Sequence, residues 1–208
     1  MPTDLNPLIL PAYYLPNTEY LSAIACSSIV YIEQFENYQK RSFRNRCFIG
    51  TSQGTLQLNI PLQSGKNEQQ PIREVKIDNQ QLWQRQHWRS LVTAYRSAPF
   101  WEYYSDSLAV FYQKKYDFLW DWNMDVLSWL LQKLKINTEI CFTNAYEGEN
   151  AAFSAHLQNY QRQQYSDFHP KAYTQLFSDR QAFLPNLSGI DILLCMGNLG
   201  LDYLKSCR

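Results

Sequence analysis

Two short apolar runs, Leu8 to Leu10 and Ile29 to Ile32, flank a segment in which Tyr20, Leu21, Ile24 and Ala25 recur at helical spacing. A strand, a loop, a helix over 18–26 and a second strand, all within about 25 residues, open an α/β fold, because strands joined through a helix come to lie parallel. Ligands of such sheets bind beyond the carboxyl ends of the strands. The segment 33–46, which leaves the second strand, is therefore expected on the ligand-binding side.

The remaining chain extends that fold. Cys47 to Thr51 and Thr55 to Leu62, separated by Ser-Gln-Gly, read as a hairpin, the second arm alternating Leu56, Leu58, Ile60 and Leu62 with polar residues. Residues 63–71 read as an exposed loop and Ile72 to Ile77 as a further strand. Asp78 and Gln81 have capping-box spacing and predict a helix start. Pro99 opens a second helix over 99–113, and a largely apolar third spans 116–135. Ile136 to Thr143 resembles a strand. Gly148 to Asn150 reads as a loop, 151–164 as helix-compatible, and 165–185 as irregular. Ser188 and Asp191 form a second capping box before Ile190 to Met196, with Gly197 as the stop. The expected architecture is α/β: a mixed central sheet with parallel N-terminal strands, a hairpin, and a helical block over about 80–135. One domain over 1–208 accommodates all of it.

Composition narrows the function. Nineteen Lys and Arg balance nineteen Asp and Glu, which argues against general nucleic-acid binding. No apolar run is long enough for a membrane span, and the N-terminus lacks the basic start and apolar core of a signal peptide. A cytoplasmic protein is expected. Five scattered cysteines with no C-x-x-C pair read as reduced, mostly buried thiols. His156 and His169 have no metal-ligand spacing, so no metal is expected; Asp117, Asp121 and Asp125 read as a solvated stripe. Phosphate-loop, dinucleotide and hydrolase motifs are absent. No cofactor and no oligomeric state can be assigned.

Against that neutral background, four of the eleven residues from Glu36 to Arg46 are basic. Lys40, Arg41, Arg44 and Arg46 form a candidate clamp for a phosphate or carboxylate; Lys40, Arg44 and Arg46 are expected to be at least partly exposed and to line a cleft. Tyr38 has a face for stacking, or a structural role; Asn45 orients a sugar hydroxyl or caps a turn. His87 is the best acid/base candidate of the three histidines, its ordinary pKa lying near working pH, or else a satisfied structural histidine. Arg89 joins the anion site or pairs with an acid. Asn186, Ser188 and Asp191 build a helix N-terminus, which can also bind an anion.

The blocks Asn-Tyr-Gln-Lys-Arg-Ser-Phe-Arg-Asn-Arg at 37–46, Lys-Ile-Asp-Asn at 76–79, His-Trp-Arg at 87–89, Ala-Pro-Phe at 98–100, and Phe-Leu-Pro-Asn-Leu-Ser at 183–188 with Asp191 resemble, in order, the WbqC-like family. The resemblance covers about residues 8–197. It implies a bacterial protein of O-antigen or other surface-polysaccharide synthesis, with a suggested transfer of an amino acid such as glycine to a sugar. It also draws Asn37 into the substrate contacts with the rest of its block. Many members carry His-Gln-Pro near the N-terminus; here the stretch is Leu10-Pro11-Ala12-Tyr13-Tyr14. The segment around 150–165 is shorter than in many members.

The leading expectation is a transferase acting on a sugar or sugar-nucleotide precursor. Its basic cleft would hold a small anionic substrate such as a sugar nucleotide or sugar phosphate, with His87 as general base. The rival is a non-catalytic protein that recognises a sugar phosphate or an assembly partner. If the blocks report one shared site, residues 37–46, 87–89 and 186–191 should meet.

Overall fold

The computed structural model describes residues 8–63, 70–146 and 168–208. Strand β1 (Leu8–Pro11), helix α1 (Thr18–Ala25) and strand β2 (Ile29–Glu33) form the expected opening, and β1 pairs parallel with β2, Leu8 opposite Val30. Strand β5 (Glu139–Phe142) lies parallel on the other side of β2, giving a sheet of order β1-β2-β5. Asn17 starts α1 by accepting the Tyr20 N–H with its side chain.

Strands β3 (Arg46–Thr51) and β4 (Gly54–Asn59) form the predicted antiparallel hairpin, as a separate sheet. The α/β expectation therefore holds, with parallel and antiparallel pairings divided between two sheets. Gly54 turns the hairpin at φ 104, in the left-handed region that favours glycine.

Helices α2 (Trp83–Tyr95), α3 (Trp101–Gln113) and α4 (Leu119–Lys133) make up the helical block. Helix α5 (Gly189–Met196) ends at Gly197 and is followed, after a short 3-10 turn, by α6 (Gly200–Ser206). Helix α6 packs on α1, while β3 lies against both α2 and α5. Buried residues from both sheets and all these helices share one continuous apolar cluster.

Two expectations about elements are corrected. Ile72 to Ile77 is no strand: Ile72–Glu74 forms a 3-10 turn behind Pro71, which buries Ile72 and Val75 on one side. The Asp78 box does not start α2. Asp78 Oδ1 accepts from the Gln80 N–H in a local turn, and the helix begins only at Trp83. All five cysteines are unbridged, but only Cys47 and Cys207 are buried. Residues 168–185 contain turns and no helix or strand. The loop expected at 148–150, the helix at 151–164 and His156 lie outside the described residues, as does most of the loop at 63–71. Among the described residues no helix is long and apolar enough to cross a membrane, and no group of three His, Cys, Asp or Glu stands together.

Candidate functional site

The loops leaving β1 and β2, residues 12–17 and 34–45, lie at the carboxyl ends of the parallel strands. They are tied together from below: Asn123 of α4, fully buried, donates through Nδ2 to the backbone oxygen of Arg44 at 2.9 Å and of Ala12 at 3.4 Å. The Tyr14 N–H donates to the Phe43 carbonyl. Glu33, the last residue of β2, is buried and accepts from the Phe35 N–H and from the Thr143 hydroxyl just beyond β5. The ends of β2 and β5 are thus joined by a buried polar contact.

Inside the second loop, Arg44 donates from Nε to Glu36 Oε1 at 2.8 Å and from Nη2 to Oε2, a fork-to-fork pair with both side chains buried. Burial pushes the Glu36 carboxyl above its usual range against the opposing pull of Arg44. Burial works to lower Arg44, but the Glu36 charge and hydrogen bonds outweigh it and leave the guanidinium raised. The Tyr38 hydroxyl donates to Asn45 Oδ1, and Asn45 Nδ2 donates to the Ile60 carbonyl. Arg44, expected in the anion clamp, carries structural bonds, and of the two roles open to Tyr38 and Asn45 the structural one is occupied. The expectation that Arg44 is exposed in a cleft is overturned: a lone cation is costly to bury, but Glu36 lies eight residues away in sequence and supplies the partner.

The other cations of the clamp remain outside. Lys40 and Arg41 are exposed on the loop, where Arg41 adopts φ 58, and Asn37 is exposed beside Pro71. Arg46, the first residue of β3, is half-buried, and its Nε is buried without a hydrogen-bond partner among the described residues. A buried donor left in this state favours a ligand that can accept from it.

His87 faces the loop after β1. The Tyr14 hydroxyl lies 2.7 Å from His87 Nδ1 and 3.4 Å from the Tyr112 hydroxyl, among the rings of Trp83 and Trp122. His87 is buried, and burial lowers its pKa to about 4, with a hydrogen bond to the Asn59 backbone opposing. The imidazole is neutral at working pH. Its Nδ1 is occupied by Tyr14, so only a rearrangement would expose it as a base.

The start of α5 is closed to anions. Gly189 N–H donates to the Pro16 carbonyl, Ile190 N–H to Ser188 Oγ, and Asp191 N–H to the Ser188 carbonyl. Asn186, at φ 56, donates through Nδ2 to Glu19 and accepts the Glu19 N–H. Asp191 is buried and accepts from the hydroxyls of Tyr95 at 2.8 Å and Tyr173 at 2.6 Å. The expected loose N–H groups at this helix start are all used.

The three segments are nonetheless joined through β3 and residues 12–17. Phe43 bonds Tyr14, Tyr14 reaches His87, and the Ser188 N–H donates to the Phe48 carbonyl. Arg89 stands apart, exposed on α2 near the Thr51 end of β3.

A family model described as "WbqC-like protein family" matches residues 12–167. The chain belongs to the WbqC-like protein family. It is also similar to the uncharacterized protein Rv1507c of Mycobacterium tuberculosis, 28% identical over 229 residues that cover 96% of this chain and 97% of that one. No solved structure matches the chain.

In this WbqC-like chain, sequence reasoning passed over Tyr14, Glu33, Asn123, Tyr95, Tyr173 and Gln175. One signal was available: a buried tyrosine needs a hydroxyl partner, and Tyr13-Tyr14 lies just past a predicted strand, after Pro11 and Ala12.

Proposed function

We propose that the chain is a cytoplasmic transferase acting on a sugar or sugar-nucleotide precursor of surface polysaccharide, and that the precursor's anionic group sits on Arg46. The observation that carries the reading is the buried, unpartnered Arg46 Nε at the foot of the loop that bears Lys40 and Arg41. Family membership supports the polysaccharide setting. Arg44 holds the loop through Glu36 and leaves ligand contact to its neighbours. In transfer of an aminoacyl group the sugar hydroxyl or amine attacks the carbonyl of an activated aminoacyl ester or thioester, and the bond from that carbonyl to the donor's carrier breaks. His87, once Tyr14 moves away, would take the attacking group's proton and return it to the departing carrier.

A second reading, a non-catalytic binder of sugar phosphates, is favoured by the occupied and buried His87. One experiment separates them. Binding of a panel of nucleotide sugars and sugar 1-phosphates is measured by calorimetry for the parent protein and Arg46→Gln, and mixtures with aminoacyl donors are analysed by mass spectrometry. Binding that falls about tenfold or more in Arg46→Gln, at unchanged thermal midpoint, supports the anion site. Product formation then decides for the transferase, and binding without product decides for the binder. Equal binding by both proteins removes Arg46 from the site.

A further inference from the structure

At the end of β3 opposite Arg46, about 17 Å away for five strand steps, a groove of about 250 Å³ runs between the hairpin and α2. Its walls are Thr51, Ser52 and Leu56 of the hairpin, Arg89 and Thr93 of α2, and Phe177. The Arg89 guanidinium forms no ion pair with any described carboxylate, and the Ser52 and Thr93 hydroxyls have no hydrogen-bond partner among the described residues.

The Phe177 wall is fixed in place. Its carbonyl accepts from the N–H groups of Arg180 and Gln181, and Gln181 Nε2 donates to the Thr51 carbonyl at 2.9 Å. Two residues upstream, Gln175 donates to the Leu184 carbonyl and accepts the Leu184 N–H. Tyr173 is anchored on Asp191, and the same carboxylate holds Tyr95 at the end of α2. The buried carboxylate therefore sets both sides of the groove, the strap carrying Phe177 and the helix carrying Arg89. A groove built before its ligand arrives loses little affinity to ordering.

We propose that this groove binds a sugar acid, with the carboxylate on Arg89, ring hydroxyls on Ser52 and Thr93, and the apolar ring face against Phe177 and Leu56. A guanidinium fork matches a carboxylate, and an aromatic wall matches a flat apolar face bordered by polar groups. The volume takes one sugar ring. The site stands apart from the Arg46 reading, since the two lie at opposite ends of one strand.

The probes are D-glucuronate, D-glucose and inorganic phosphate, titrated into the labelled full chain and followed by NMR. Glucuronate is expected to shift the methyl signals of Leu56 and Thr93 and the ring signals of Phe177. Glucose and phosphate should each bind at least about tenfold more weakly, because each satisfies only part of the site. Arg89→Gln, an exposed change that leaves folding intact, should weaken glucuronate about tenfold or more, and Thr93→Trp should block the groove. No shift at these residues up to about 10 mM glucuronate, well above a millimolar Kd, overturns the proposal. So do phosphate binding as tight as glucuronate and glucuronate binding unchanged in Arg89→Gln.

Discussion

Arg44 and Glu36 face each other across their loop as a two-point ion pair sealed from solvent, with the Nε to Oε1 distance at 2.8 Å. Removing one partner leaves an uncompensated charge, whereas replacing both can be neutral. Glu36→Ala is expected to cost about 3–5 kcal/mol in urea unfolding. The double variant Glu36→Leu with Arg44→Met should recover most of that loss. Equal losses in the single and double variants would show that the loop depends on the pair for more than charge balance.

Glu19 and His87 give stability opposite dependences on pH. Burial raises the Glu19 carboxyl from 4.5 to about 7, against the Asn186 hydrogen bond and Arg208. A raised acid holds its proton more tightly when folded, so its contribution is full below pH 4.5 and lost as pH rises through about 7. Burial lowers His87 from 6.5 to about 4, so its contribution is full above pH 6.5 and lost as pH falls through about 4. Glu19→Gln should shift the slope of stability against pH upward between those values, and His87→Gln should shift it downward, each relative to the parent protein. Thermal midpoints measured at half-unit steps check both signs.

Asp191 depends on hydroxyl donors in place of a cation. Tyr173→Phe removes a hydrogen bond to a buried carboxylate and should cost about 1.5–3 kcal/mol, the range for bonds to charged groups. Tyr95→Phe should cost a similar amount. Because the two share one acceptor, the double variant should depart from the sum of the single effects in a double-mutant cycle. Strict additivity would mean that the hydroxyls act separately.

Gly189 is required by close packing. A Cβ there would meet Leu21 Cδ1 at 2.1 Å and Leu130 Cδ2 at 3.1 Å. Gly189→Ala should destabilise by about 1–3 kcal/mol, the usual cost of overpacking. Leu21→Ala in the same chain should relieve the clash in part, visible as a positive coupling between the two changes in chemical denaturation.

What could be read ahead of the structure was local. The β1–α1–β2 opening, the hairpin and the Ser188 cap each declare themselves within a few residues, through period or turn chemistry. Ile72 to Ile77 misled because Val75 and Ile77 alternate as in a strand, whereas Ile72 and Val75, three residues apart, share the buried side of the 3-10 turn that follows Pro71. Arg44 misled for another reason: a run of cations in a neutral protein shows charge but not its partner. The polar contacts that shape the candidate site span 73 residues from Tyr14 to His87 and 110 from Glu33 to Thr143. No local pattern encodes such pairings. The family blocks marked segments that are joined in space, but not which of their side chains are already occupied.

The clasp between residues 17–19 and 186–189 has a consequence for biosynthesis. Asn17 bridges Ser188, Thr18 N–H donates to the Leu187 carbonyl, and Glu19 bonds Asn186, each across well over a hundred residues. During vectorial synthesis the first helix emerges long before the segment that locks its N-terminal end. At about 5–20 residues per second, the wait is on the order of ten seconds. Throughout that interval Leu21, which packs beside Gly189, lacks its cover. The apolar face of the first helix therefore waits for a segment made about 170 residues later, so the unfinished chain exposes surface that the finished fold hides.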